Sequence, residues 1–212
     1  MPFIFILFFA MSPLYSKDIY TLDKEIIAQT KIDYGEKAVN KLLALVALLN
    51  SLSEKTQEQQ LKAINDFFNT ITFEPDIKVW HKKDYWASRK EFIDKESGDC
   101  EDYVIAKYFS LRQLGFNADT LFLTYVKAIK YKQSHMVLTY FATKDAVPLV
   151  LDNIVQHILP SSKRTDLRPL FSFNGEKIYM AKRRGLGKEI PQGKINLTKW
   201  TDLILKIKRE KI

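Results

Sequence analysis

The stretch Gly98-Asp99-Cys100-Glu101-Asp102-Tyr103 leads into Val104, Ile105, Tyr108 and Leu111, apolar residues at helical spacing. Gly115 then supplies the residue type that follows a helix end in the left-handed conformation. The chain's one cysteine, Cys100, therefore opens a helix running to about Leu114. A thiol there lies beside backbone N–H groups that have no partner within the helix and that favour the thiolate. The carboxylates of Asp99, Glu101 and Asp102 oppose this, because nearby negative charge raises a thiol pKa. Asp99 at the N-cap with Asp102 three residues on is a capping-box pattern, which contributes about 1 kcal/mol. Capping explains two of the acids better than three acids beside a thiol. Hard oxygen ligands of this kind suit calcium, and a bound dication would cancel their charge.

Upstream, residues from Gly35 to Leu49 carry Ala38, Val39, Leu42, Leu43, Val46 and Leu49 at helical spacing. After a polar break, Ser53 is placed to cap a second helix reaching about Phe68, with Leu61, Ile64, Phe67 and Phe68 on its buried face. The two read as an antiparallel hairpin whose stripes are core. Residues 71–84 are irregular, and Trp80, Tyr85 and Trp86 cluster there. These aromatics close the core, or, in the case of Trp86, wall a substrate cleft beside the thiol. Ala87 to Ile93 is a short helix before a Ser97-Gly98 turn.

Downstream the period changes to that of strands. Thr120–Val126, Met136–Phe141 and Val147–Leu151 are rich in strand-formers, and Pro169–Asn174 with Lys177–Tyr179 form a hairpin around Asn174-Gly175. Thr198 to Ile207 is an amphipathic helix with Trp200, Leu203, Ile204 and Ile207 on one face. The order is helices first, a central helix carrying the cysteine, then antiparallel strands: an α+β layout with segregated elements. It resembles the papain and transglutaminase architecture.

The bulk numbers suit one globular domain: 212 residues, 46% hydrophobic and 27% charged. No stretch reaches the roughly 18 apolar residues of a membrane span. The apolar run Met1–Met11, followed by Ser12 and Ser16, reads as a secretory signal peptide over residues 1–16, although no Lys or Arg precedes it. A domain over 17–181 follows, with the helical hairpin at about 35–68 and the core at about 80–181. In an exported chain, a lone cysteine is a free reactive thiol or a cross-linking site. The net charge of +8 is uneven: residues 182–212 hold ten Lys or Arg against Glu189, Asp202 and Glu210, a balance of +7. This basic tail reads as a solvated segment carrying the last helix, available for weak contact with an anionic membrane. No nucleic-acid-binding motif accompanies it.

A cysteine nucleophile needs a base within hydrogen-bond reach and a group to orient that base. The chain offers His81, His135 and His157. His81 is in the irregular region and His157 in a turn before Pro160. His135 opens the strand His135-Met136-Val137-Leu138, and Asp152 ends the next, Pro148-Leu149-Val150-Leu151-Asp152. In an antiparallel pair turning near Lys144-Asp145, the start of the first strand meets the end of the second. Cys100, His135 and Asp152 are thus the candidate triad.

Several separate stretches, in order, resemble the bacterial transglutaminase-like cysteine peptidases, the LapG-like periplasmic adhesin proteases. They are Asp84-Tyr85-Trp86-Ala87, Gly98-Asp99-Cys100-Glu101-Asp102-Tyr103, Ala106-Lys107-Tyr108, Tyr125-Val126-Lys127-Ala128, His135-Met136-Val137-Leu138, Pro148-Leu149-Val150-Leu151-Asp152-Asn153, Arg164-Thr165-Asp166-Leu167 and Ser172-Phe173-Asn174. The resemblance spans about residues 65–174. It implies a periplasmic protease with a Cys-His-Asp triad, which falls on Cys100, His135 and Asp152. It also implies calcium dependence, with ligands at Asp99, Glu101 and Asp102. The implied substrate is a large surface adhesin cut near its N-terminus, and the implied regulator an inner-membrane receptor for cyclic di-GMP. The same triad also serves transglutaminase-type amide transfer, and a calcium-binding module with an idle triad is the non-enzymatic alternative. The basic tail is no part of the family pattern.

Overall fold

The computed structural model describes residues 20–191 and 193–210, so the segment read as a signal peptide lies outside the described residues. Helix α1 (Lys24–Tyr34) is capped by Asp23, whose carboxylate accepts the Glu25 N–H. The sequence reading assigned no element there, because Thr30 alone is buried and no apolar stripe marks it. Gly35, at φ 84°, turns the chain into α2 (Glu36–Leu52). The buried stripe of α2 is Ala38, Val39, Leu42, Leu45, Leu49 and Leu52; Leu43, expected inside, is exposed.

Helix α3 (Gln57–Phe68) is capped by Thr56 in a reciprocal box with Gln59, three residues later than the expected cap at Ser53. The Ser53 hydroxyl instead donates to the Asn50 carbonyl at the end of α2. The expected hairpin of α2 and α3 is the lesser contact of each: α2 packs more on α1 and on α5 (Arg89–Lys95), and α3 more on α6 (Cys100–Gln113). Short strand β1 (Thr72–Phe73) and short helix α4 (Asp76–Val79) fill the irregular stretch. β1 pairs in parallel with β2 (Ser97–Gly98), which stands where a turn was expected.

Helix α5 is capped by a Ser88/Glu91 box and closed by Glu96 in the left-handed region at φ 48°. α6 ends at Leu114, with Gly115 at φ 95°. The remaining strands are β3 (Leu121–Ala128), β4 (Gln133–Tyr140), β5 (Leu149–Leu151), β6 (Leu159–Pro160), β7 (Leu167–Phe173), β8 (Ile178–Lys182) and β9 (Gly185–Glu189). They form one antiparallel sheet in the order β6-β5-β4-β3-β7-β8-β9.

α6 lies on β4 and β3, as the helix-on-sheet layout requires. The main core joins Leu45, Leu49, Ile64 and Phe68 from the helices to Ile105, Leu111, Met136, Leu138 and Phe173. Val126, Ala128, Val137, Val150 and Leu167 form a smaller cluster of their own.

The segment from Lys182, expected as a tail apart from the domain, is built into it. β9 extends the sheet, and α7 (Thr198–Glu210) puts Trp200 and Leu203 into the main core. Trp200 stacks on Phe109 at 5.7 Å and meets Phe173 edge-on at 5.6 Å. Its indole lies against Gly175, at φ 92°, where a Cβ would fall 2.6 Å from Nε1. The apolar face of α7 is thus spent on the domain. No helix among the described residues is long and apolar enough to cross a membrane.

Candidate active site

Cys100 is the first residue of α6 and is partly exposed. Its Sγ donates to Glu101 Oε2 at 2.8 Å and receives the backbone N–H of Met136. That contact sets the thiol against β4, one residue from His135. Burial raises the thiol pKa well above its ordinary value, and the charges of Glu101 and Asp99 add to this, while the Met136 N–H works the other way. The conflict read from sequence is therefore real in three dimensions.

His135 and Asp152 are both buried, and His135 Nε2 lies 2.8 Å from Asp152 Oδ1. The register of β4 and β5 pairs Leu138 with Leu151, so Asp152 continues opposite Val137 and meets His135 on the diagonal rather than directly across. Asp152 Oδ1 also accepts the Ile154 N–H at 3.0 Å, and Oδ2 accepts from Arg164 Nη2 at 2.6 Å. Burial works to raise the Asp152 carboxyl, but the hydrogen bonds and charges of His135, Ile154 and Arg164 hold it well below the usual carboxylate range. It is therefore an anion at neutral pH. With Nε2 held by Asp152, Nδ1 is the ring nitrogen left to exchange a proton.

A model of the bacterial transglutaminase-like cysteine proteinases matches residues 46–168, a span that contains Cys100, His135 and Asp152. This chain belongs to that family. Among solved structures, calcium-bound Legionella pneumophila LapG is 37% identical, with 86% of this chain and 98% of that chain covered and a TM-score of 0.73. Legionella pneumophila LapG in a second structure is 35% identical, covering 87% and 96%, at 0.74. The EGTA-treated form is 36% identical over the same shares, at 0.73. Among curated protein sequences no match is found.

In this transglutaminase-like proteinase the acids beside the thiol divide into two overlapping groups. Ligand atoms of Asp99, Cys100 and Glu101 lie within 4.8 Å of one another, and so do those of Asp76, Asp99 and Asp102. Asp102 is tied by backbone donors: Oδ1 accepts the Ala87 N–H at 2.8 Å and Oδ2 the Asp99 N–H at 3.2 Å. Its carboxylate also explains Gly98, where a Cβ would collide with Asp102 Oδ2. Asp76 Oδ1 and Asp99 Oδ1 are buried with no hydrogen-bond partner. Burial, then Glu101 and Asp102, push Asp99 up to about 10. Asp102 is raised too, by burial first. Such a cluster of anionic oxygens, two of them orphaned, fits a hard divalent cation.

Sequence reasoning missed Asp76, which lies 23 residues before Asp99 on a four-residue helix. Asp76 falls in the stretch 71–84, which read as irregular, so spacing gave no signal. It also missed Lys107 and the partners of Arg164, although both residues lie within the stretches quoted above. Trp86, offered as a cleft wall, is 6% exposed and stacks on Phe173 at 6.1 Å, so its indole belongs to the core. Tyr125 is an aromatic whose hydroxyl feels the charge of the thiol. Burial raises its hydroxyl, followed by the charges of Glu101, Asp84 and Cys100. The other histidines, His81 and His157, are exposed and take no part.

Proposed function

We propose that this cysteine proteinase is a calcium-dependent endopeptidase of the periplasm that cuts a large surface adhesin near its N-terminus. The observation that carries the chemistry is the hydrogen bond of the Cys100 thiol to the N–H of Met136, the residue after His135, together with the His135 Nε2 contact to the Asp152 carboxylate. Cys100 is the nucleophile, His135 the base and acid, and Asp152 the orienting anion. The adhesin substrate, the periplasmic location and control by a cyclic di-GMP receptor rest on the family resemblance.

His135 Nδ1 takes the thiol proton, and the thiolate attacks the scissile carbonyl carbon. The C–S bond forms as the carbonyl electrons move to oxygen. The Cys100 backbone N–H lies in the first turn, where the helix offers it no acceptor, and faces this oxyanion. The intermediate collapses, the C–N bond breaks, and the leaving amine takes the proton from Nδ1. Water, deprotonated by the same nitrogen, then hydrolyses the thioester and frees the thiol. Throughout, Asp152 holds the Nε2 tautomer and stabilises the imidazolium.

Asp99, Glu101 and Asp102, joined by Asp76, are the residues that would hold calcium. Bound there, the ion supplies positive charge that offsets the carboxylates raising the thiol pKa. Support comes from the orphaned oxygens of Asp76 and Asp99 and from the likeness to a calcium-bound relative.

The test is cleavage of a purified adhesin N-terminal fragment, with calcium and with chelator. The wild type should cut only with calcium, and Cys100→Ala under neither condition. Cleavage by Cys100→Ala would overturn the nucleophile, and cleavage undiminished by chelator would overturn the metal.

A further inference from the structure

Lys107 lies on α6 seven residues beyond Cys100, two helical turns along nearly the same face. It is completely buried. An ammonium has three donors and no acceptor, so burying it is costly unless all three find partners. Here they do: Nζ donates to Asn65 Oδ1 at 2.9 Å, to Asn69 Oδ1 at 2.7 Å and to the Asp152 main-chain oxygen at 3.3 Å. The two asparagines use their other ends on the same stretch of chain. Asn69 Nδ2 donates to the Asp152 carbonyl at 2.9 Å, and Asn65 Nδ2 to the Gln156 carbonyl at 2.7 Å.

The network joins three elements at one atom. α6 carries the thiol, α3 carries Asn65 and is capped by Asn69, and Asp152 follows β5. Asp152 is therefore gripped twice. His135, Ile154 and Arg164 hold its carboxylate, while Lys107 and Asn69 hold its carbonyl. Packing alone does not call for an amine here, since a hydrocarbon of similar volume would fill the site without desolvating a charge. A neutral amine would turn its lone pair toward an acceptor, so the three acceptors favour the ammonium and work against the burial that lowers its pKa.

We propose that Lys107, with Asn65 and Asn69, is a positioning residue that fixes the Asp152 main chain to the helix bearing Cys100. The thiol and the carboxylate that orients the imidazole are thereby held as one unit. This rests on the reading of Cys100, His135 and Asp152 as the triad. The carboxylates facing the amine are Asp152 and, on α3, Asp66, and the Tyr103 ring lies 5.8 Å from it.

The experiment needs no protein substrate. Alkylation of Cys100 by iodoacetamide is followed from pH 5 to pH 10 in buffer containing calcium. The full chain is compared with Lys107→Met, Asn69→Ala, His135→Ala and Asp152→Asn, each checked for folding by near-ultraviolet circular dichroism. Loosening Asp152 should weaken the imidazolium that stabilises the thiolate. Lys107→Met and Asn69→Ala should therefore react about 3- to 10-fold more slowly at pH 6, with the high-pH plateau unchanged. Lys107→Arg should recover part of the loss.

A role confined to stability would lower the melting temperature and leave the pH profile in place. Wild-type profiles in folded Lys107→Met and Asn69→Ala, alongside shifted profiles in His135→Ala and Asp152→Asn, would overturn the proposal alone. Wild-type profiles in His135→Ala and Asp152→Asn as well would overturn the triad and the proposal with it. Asn69 lies at the end of α3 and is only partly buried, so its variant keeps the test open should Lys107→Met fail to fold.

Discussion

On one side of Cys100, Asp152 holds donors on both carboxylate oxygens and on its carbonyl. On the other side, Asp76 and Asp99 each keep a buried oxygen that nothing donates to. The first cluster pairs its anion with Arg164, His135 and Lys107, so its charge is balanced within the chain. The second gathers Asp76, Asp99, Glu101 and Asp102 with no cationic side chain hydrogen-bonded to any of them among the described residues. The difference teaches that the His135–Asp152 pair has its charge compensated by the chain itself, whereas the acidic cluster does not.

The strongest way to break this comparison is at the balanced side. Cys100→Ala or His135→Ala should lower adhesin cleavage at least about 10³-fold without loss of fold. Retained cleavage by either would remove that residue from the chemistry. At the incomplete side, Asp76→Asn should weaken calcium binding about 10- to 100-fold in isothermal titration, because it deletes an orphaned anionic oxygen. Unchanged affinity would place the ion without Asp76.

Gly98→Ala should cost about 1–3 kcal/mol in urea unfolding. The new methyl would press on Asp102 Oδ2 and on the Phe92 ring. A neutral outcome would show that Asp102 is free to move and does not anchor the acidic cluster.

The smallest effect concerns Lys107 and pH. Burial lowers its amine to about 7, against an ordinary value of 10.5. Between these values the unfolded chain binds more protons than the folded one, so this group makes stability rise with pH. The stability of wild type relative to Lys107→Met should climb from pH 7 to pH 10, by up to about 1.4 kcal/mol per pH unit. A flat difference would show that the amine does not titrate in that window.

Periodicity made the helix from Cys100 legible, along with its end at Gly115 and the strands that follow, because burial of one helix face imprints itself locally on sequence. Strand order also allowed His135 and Asp152 to be paired, since neighbouring antiparallel strands bring one start to one end. α1 left little trace because Thr30 alone of its residues is fully buried and no apolar stripe marks it. The cap of α3 fell on Thr56 rather than Ser53 because both residue types qualify, and only the backbone chooses between them. Trp86 was ambiguous for a related reason: an aromatic residue reads the same whether it faces a cleft or Phe173. The segment beyond Lys182 was misread as a tail because its charge is visible in composition, while Trp200 against Gly175 is not.

By itself, then, the sequence determined an α+β chain with a thiol at a helix start, a histidine and an aspartate at adjoining strand ends, and acids around the thiol. Only the tertiary structure decided which carboxylates are compensated and which are not. Arg164 and Lys107 reach Asp152 from 12 and 45 residues away, and Asp76 reaches Asp99 and Asp102 from another element. Charge compensation depends on distance in space, and a linear pattern carries no record of it until the chain has packed.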